Sequence, residues 1–288
     1  MTTLKDAVEL TFEVRPSWIE GPSVGTNRTN TNHALRILGD DLDISTIRPS
    51  TFAKLGKQVV AEGREPGTAN RIMAALHTCL HEVHLEGLLD AVPSYRRMKE
   101  PPARKDFYSH DELKVLLAAA PGLCAEGELL KDSLLFFYLT GCRKSELLNL
   151  MWSDVDLANQ KVIFRDTKNG LNHELAIHKD LQSLLETLHE ARIDDWSVFA
   201  WTTPDMLNRR MKRLCKKTGI GIREDGKASR YIHQIRHTTA THMVEAEVPI
   251  KSIQGVLNHK DINTTLKYAK DTEKSKAQAI AKIDSPLN

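Results

Sequence analysis

Cysteine is scarce in this chain: four in 288 residues. Cys79, Cys124, Cys142 and Cys215 are far apart and form no CxxC pair. Nothing therefore indicates a disulfide framework or a zinc site, and a reducing compartment fits the pattern. Long apolar runs are also missing, so no segment is expected to span a bilayer. The opening MTTLKDAVEL lacks the basic-then-apolar order of an export signal. No internal repeat and no low-complexity tract interrupts the sequence. These absences exclude secreted disulfide scaffolds and membrane proteins, and the expectation is a soluble cytoplasmic protein without membrane contact. A strong charge of either sign is lacking as well. The formal net charge is only +2, which alone does not argue for a polyanionic partner.

The distribution of charge says more. Residues 1–95 carry 9 Lys or Arg against 12 Asp or Glu, whereas the remainder carries 31 against 26. The positive excess lies in the later part, where a basic face can form despite the small net value. The apolar fraction of 41% is enough for a real core, and the length suits two ordinary domains.

The patterning predicts a mainly α, two-domain protein. Residues 1–95 read as a helical domain, with helices over Asn27–Leu38 and Ser50–Ala61. A third follows Pro66-Gly67, with Thr68 as N-cap, an apolar series Ile72, Ala75, Leu76, Leu80, Val83, and Gly87 as terminator. His77, His81 and His84 fall on one face of that helix. Three histidines can bind zinc, but no orienting groups accompany them, and a polar or DNA-facing surface is the preferred reading. Residues 96–108 read as a linker, Pro-containing and basic through Arg96, Arg97 and Lys99. Residues 109–288 read as an α+β domain that opens on a capping box, Ser109 to Glu112. Helices are expected over Glu128–Leu139, Asp180–Ala191, Pro204–Thr218, Tyr231–Glu245 and Ile250–Leu257. Short strands at Val155-Asp156, Lys161–Phe164 and Glu174–Ile177 make one small antiparallel sheet, with turns at Asn159-Gln160 and Asn169-Gly170.

Several polar residues then stand out. Arg143 follows an apolar helix and a Thr140-Gly141 turn, with Glu146 three residues on; the pair suits either a buried structural brace or a ligand site. Lys168 sits beside the Asn169-Gly170 turn, where a long side chain either lies in solvent or reaches into a groove. His233, Arg236 and His237 share one side of a helix, and His259 and Tyr268 follow. Two guanidinium groups can clamp the oxygens of one phosphate and stabilise an in-line displacement. A tyrosine becomes a nucleophile beside a base, and a lysine ammonium can protonate a leaving oxygen. Such a set needs no metal and no cofactor.

The order and spacing of these residues resemble the tyrosine recombinase (phage integrase) family. Thr140-Gly141-Cys142-Arg143-Lys144-Ser145-Glu146 with Trp152-Ser153-Asp154 resembles its first box. His233-Gln234-Ile235-Arg236-His237-Thr238 resembles the second, and Leu257-Asn258-His259 with Thr264-Thr265 and Tyr268 the third. The likeness spans about residues 109 to 270. It implies a helical core-binding domain joined to a catalytic domain of that fold. It also implies site-specific recombination through a 3′-phosphotyrosine at Tyr268. Arg143 and Arg236 would hold the scissile phosphate, Lys168 would act as general acid, His233 would support proton transfer and His259 would bind the phosphate. Glu146 and His237 would support them. Asn258 stands where the family has glycine, and asparagine is the next most tolerant residue of a left-handed backbone.

The implied partner is double-stranded DNA with paired half-sites, bound by four copies, with a DNA-bending or directionality protein as a further implied partner. Arg71, Lys57, Arg96, Arg97 and Lys99 are the further candidates for DNA contact. The tail from Ala269 to Asn288, with Ala277, Ile280 and Ile283, would pack on a neighbouring subunit or fold back on its own domain. The function read from all this is integration or excision of phage or mobile-element DNA, in the nucleoid or the host cytoplasm. A Xer-like resolvase of replicon dimers, a type IB topoisomerase-like relaxing enzyme and an inactive DNA-binding module are the alternatives. Too little chain before the helical domain for an arm-binding domain keeps the resolvase in view.

Overall fold

The computed structural model describes residues 2–21, 23–101, 107–165, 172–192, 196–222 and 232–269. The chain divides into two compact units, Met1–Arg104 and Lys105–Asn288. Lys168 and the tail beyond Ala269 lie outside the described residues, as do the Asn169-Gly170 turn and Tyr231.

The first unit is helical: α1 (Leu4–Val14), α2 (Pro16–Ile19), α3 (Val24–Leu38), α4 (Pro49–Ala61) and α5 (Pro66–Leu85). α1 was not anticipated, although Thr3 and Asp6 form a reciprocal capping box in front of Leu4, Ala7 and Val8, which are buried. α5 begins earlier than expected. Its N-cap is Glu65 rather than Thr68, because Pro66 already has the backbone angle of a first helical residue. α5 is the spine of this unit, burying Ile72, Met73, Leu76, Leu80 and Val83 against Leu55, Phe52 and Leu4. Each such side chain contributes roughly 1.5–3 kcal/mol when taken out of water.

The segment that the sequence reads as the start of a linker is held on this unit. Asn70 receives the Met98 N–H at 2.8 Å and donates to the Met98 carbonyl at 3.0 Å. It also donates to the Glu100 carboxylate at 2.6 Å. A buried amide with three partners fixes residues 98–100 to α5.

The second unit contains α6 (His110–Ala119), α7 (Gly127–Thr140), α8 (Lys144–Leu148), α9 (Lys179–Glu190), α10 (Pro204–Thr218), α11 (Ile232–Glu245), α12 (Ile250–Val256) and α13 (Ile262–Leu266). Strands β1 (Val155–Asp156), β2 (Lys161–Phe164) and β3 (His173–Ala176) form one antiparallel sheet in the order β1-β2-β3. α6 carries the expected capping box at Ser109 and Glu112. α7 is the central element, with Leu130, Leu134, Phe136 and Phe137 almost wholly buried. Phe136 packs edge-on against Phe164 of β2 and Phe199. The architecture is thus mainly α with a small antiparallel sheet. All four cysteines are free thiols, and no described helix is long and apolar enough to cross a membrane.

Candidate active site

The site is assembled where α7 ends, α11 passes beneath it, and α12 turns into α13. α7 stops at Gly141, whose φ of 62° is left-handed. A Cβ there would lie 2.7 Å from Leu257 Cδ2, so another residue would strain the backbone and displace that buried side chain. The turn delivers Arg143 to the N-terminus of α8. There the Glu146 carboxylate accepts the Arg143 backbone N–H and its Nη1, each at 2.6 Å. Glu146 is almost fully buried and Arg143 largely so. The brace anticipated as one reading of this pair is therefore present, and it aims the guanidinium. The remaining end, Nη2, donates to the Asn258 carbonyl at 3.0 Å.

Arg236 on α11 is buried, at 4% exposure. Its Nη1 donates to the Gly141 carbonyl at 2.6 Å and its Nη2 to the Leu257 carbonyl. Two backbone carbonyls make a burial tolerable that would otherwise be costly. Burial and the neighbouring Arg143 charge pull its pKa below the usual arginine range, with Glu146 opposing. Both guanidinium groups are thus tied to the same two turns, 141–143 and 257–258.

Asn258 has φ of 48°, the left-handed conformation expected of the position where the family carries glycine. Its N–H donates to the Gly255 carbonyl at 3.0 Å, and the next residue, His259, donates its N–H to the Gln254 carbonyl at 3.1 Å. His259 Nδ1 lies 2.8 Å from Thr265 Oγ1, on α13.

Tyr268, just past α13, is partly buried, and its hydroxyl is hydrogen-bonded to Nδ1 of His237. His237 in turn meets His233 edge to face, with ring centroids 4.9 Å apart. Burial raises the Tyr268 pKa, and Arg236 opposes the rise. Burial and Arg236 lower that of His237. Desolvation of the rings, with the adjoining positive groups, pushes His233 and His259 down to about 4, although His233 is exposed and so the more weakly desolvated of the two. The site is therefore a positive cluster of arginines with neutral imidazoles and a neutral tyrosine, suited to an anion.

Arg143, Glu146, His233, Arg236, His237, His259 and Tyr268 are all brought together. Lys168 lies outside the described residues. The backbone carbonyls of Gly141, Leu257 and Asn258 were missed, since no side-chain pattern marks them. A groove beside His233 is lined by Lys144, Asp205, Asn208, Arg209 and Lys212. The basic spacing along α10 signals this face, which sequence reasoning did not single out. In the first unit Arg71, Lys57, Arg96 and Lys99 are exposed, while Arg97 pairs with Glu100 at 3.0 Å. The His77 ring packs against Phe52 and Tyr95, and His84 Nδ1 lies 2.7 Å from the Leu89 carbonyl. Among the described residues no group of three or more His, Cys, Asp or Glu side chains is placed to hold a metal ion.

Residues 106–275 match the model of the phage integrase family. The tyrosine recombinase XerA of Thermococcus kodakarensis is 29% identical over 283 residues, covering 93% of each chain. Among solved structures, the Tn1549 transposon integrase in complex with a circular intermediate DNA superposes with a TM-score of 0.79 at 17% identity. That match covers 99% of this chain and 100% of the other. A lambda integrase tetramer bound to a Holliday junction gives 0.76 at 18% identity, covering 94% and 81%.

Proposed function

The chain belongs to the phage integrase family, the tyrosine-type DNA recombinases, and from that premise we propose that it is a Xer-like resolvase that converts replicon dimers to monomers. The chemistry rests on one observation above all: the Tyr268 hydroxyl is hydrogen-bonded to His237, next to the buried Arg236. In this reading Arg143 and Arg236 hold the two non-bridging oxygens of a scissile phosphate. Tyr268 attacks phosphorus, and its proton passes to His237. The bond from phosphorus to the 5′ oxygen breaks, and Lys168 supplies the proton that this oxygen takes up. The product is a 3′-phosphotyrosine, which the 5′-hydroxyl of a partner strand attacks to restore Tyr268. One ester bond replaces another, so no external energy source enters.

His259 binds the phosphate, and His233 supports proton transfer through His237. Glu146 aims Arg143. The substrate is double-stranded DNA with paired half-sites, bound by four copies in the cytoplasm, because each site cuts one strand and exchange between two duplexes needs four cuts. Lys144, Arg209 and Lys212 beside His233 supply positive charge for the backbone. Arg71, Lys57, Arg96 and Lys99 do so on the first unit. The likeness to XerA along 93% of both chains favours resolution of dimers. Integration or excision of a mobile element is the second reading, which the likeness in fold to transposon and phage integrases keeps open.

Mapping of covalent attachment points on the DNA of the source cell tests both. A resolvase gives one attachment site per replicon and turns plasmid dimers carrying that site into monomers. Attachment at the two ends of a mobile segment instead supports the second reading. Tyr268→Phe must abolish the adduct; an undiminished yield would mean that another residue is the nucleophile.

A further inference from the structure

We propose that His173 is a positioning residue for strand cleavage: it grips the Gly255 carbonyl and thereby fixes the turn at Asn258 that orients Arg143. This rests on the reading that Arg143 holds the scissile phosphate. His173 opens β3 and lies opposite Phe164 of β2. Its ring stacks on that buried phenyl, with centroids 6.1 Å apart and planes 28° apart. One face is thus anchored to the sheet, and Nε2 reaches the Gly255 carbonyl at 2.9 Å.

Gly255 lies in the last turn of α12, where its carbonyl has no i+4 donor and is met instead by the Leu257 N–H at the cap. The same oxygen accepts the Asn258 N–H at 3.0 Å. Asn258 is held left-handed, and its own carbonyl receives Arg143 at 3.0 Å. A single imidazole on the sheet is therefore linked to the guanidinium through three hydrogen bonds in series. The acceptor is a carbonyl, so Nε2 must carry the proton. Burial lowers the ring's pKa, and Arg236 and Arg143 lower it further, while the Gly255 contact and Glu146 oppose. A neutral Nε2–H tautomer supplies the donor at neutral pH.

Two substitutions separate the hydrogen bond from the packing. His173→Phe retains a ring on Phe164 and removes the donor; His173→Gln restores an N–H at similar reach. Binding to a half-site and single-turnover cleavage are measured for each. His173→Phe should bind normally and cleave about tenfold more slowly, the scale of one lost hydrogen bond. His173→Gln should recover most of the rate. A scissile methylphosphonate adds a readout that a purely structural role would not move. It lacks the charge that Arg143 neutralises, so the His173→Phe defect should largely disappear on it, as should that of Arg143→Ala. Wild-type cleavage by His173→Phe, or equal slowness of the Gln variant, overturns the proposal. So does a defect that persists on methylphosphonate while that of Arg143→Ala is relieved. If Arg143→Ala is not relieved either, the phosphate-holding role of Arg143 fails first, and this inference falls with it.

Discussion

The hydroxyl of Tyr268 is hydrogen-bonded to Nδ1 of His237, the residue after Arg236 on α11. A histidine and a tyrosine from segments 31 positions apart thus share one proton path. An imidazole can accept a phenolic proton only when it is neutral. The His237 pKa is lowered from 6.5 by burial and Arg236. The cleavage rate should therefore hold at neutral pH and fall only as pH drops through that lowered value. His237→Phe should slow cleavage by about 100-fold and abolish the acid limb. Single-turnover rates between about pH 5 and about pH 8 check this. An unchanged acid limb in the variant would assign it to another group.

His233 and His259 make stability depend on pH. Desolvation pushes both from 6.5 to about 4 in the folded protein, and His259 carries more of the effect because His233 is exposed. Unfolded histidines titrate near about 6.5, so the unfolded chain binds more protons in that interval. Stability is then full above the unfolded value and is lost as pH falls from 6.5 towards 4. Melting temperature should decline across this window. His233→Gln with His259→Gln should flatten the decline, and equal slopes in variant and parent would refute the assignment.

Gly141→Ala should be damaging well beyond the loss of helix termination. A left-handed alanine costs about 1–2 kcal/mol, and its Cβ would press on Leu257 at 2.7 Å. Leu257 and Gly141 are the two residues whose carbonyls hold Arg236. Both the unfolding midpoint in urea and the cleavage rate should fall. A variant that is destabilised but cleaves at the normal rate would show that Arg236 does not depend on this turn.

Asn258 separates backbone from side chain. Arg143 uses its carbonyl, which every substitution keeps, whereas φ of 48° suits only glycine, asparagine and a few others. Asn258→Gly should stay within about fivefold of the parent rate, since glycine adopts this φ freely. Asn258→Val should lose stability and slow cleavage by more than tenfold, at about 1–2 kcal/mol of backbone strain. Covalent adduct formation on a nicked substrate measures both, and equal rates for the two variants would contradict the role of this turn.

Lys168→Ala tests the leaving-group proton. The variant should be slow on an ordinary phosphodiester and close to normal when the 5′ bridging oxygen is sulfur, because a thiolate leaves without a proton. Equal slowness on both substrates would remove Lys168 from the general-acid role.

The sequence by itself determined the class of most described elements, α1 and α2 excepted, and singled out the polar residues as candidates. Pro49 marked α4, apolar runs marked α5 and α7, Ser109 and Glu112 marked α6, and the short strand signals with their turns marked the sheet. These are local signals, set by side-chain period and capping, and they can be read from neighbours a few residues apart. Arg143, Arg236, His259 and Tyr268 stood out because polar groups interrupted apolar patterns in a recognisable order. Their mutual arrangement was decided only in three dimensions. Arg236 is satisfied by the carbonyls of Gly141 and Leu257, 95 and 21 positions away, and Arg143 by that of Asn258, 115 positions away. A backbone carbonyl belongs to every residue and leaves no mark in a sequence. Which carbonyl a buried guanidinium finds depends on how α7, α11 and α12 pack. The same holds for the Tyr268 proton: the sequence reading gave proton transfer to His233, whereas the hydroxyl is bonded to His237. Packing of α13 against α12 places the hydroxyl at His237.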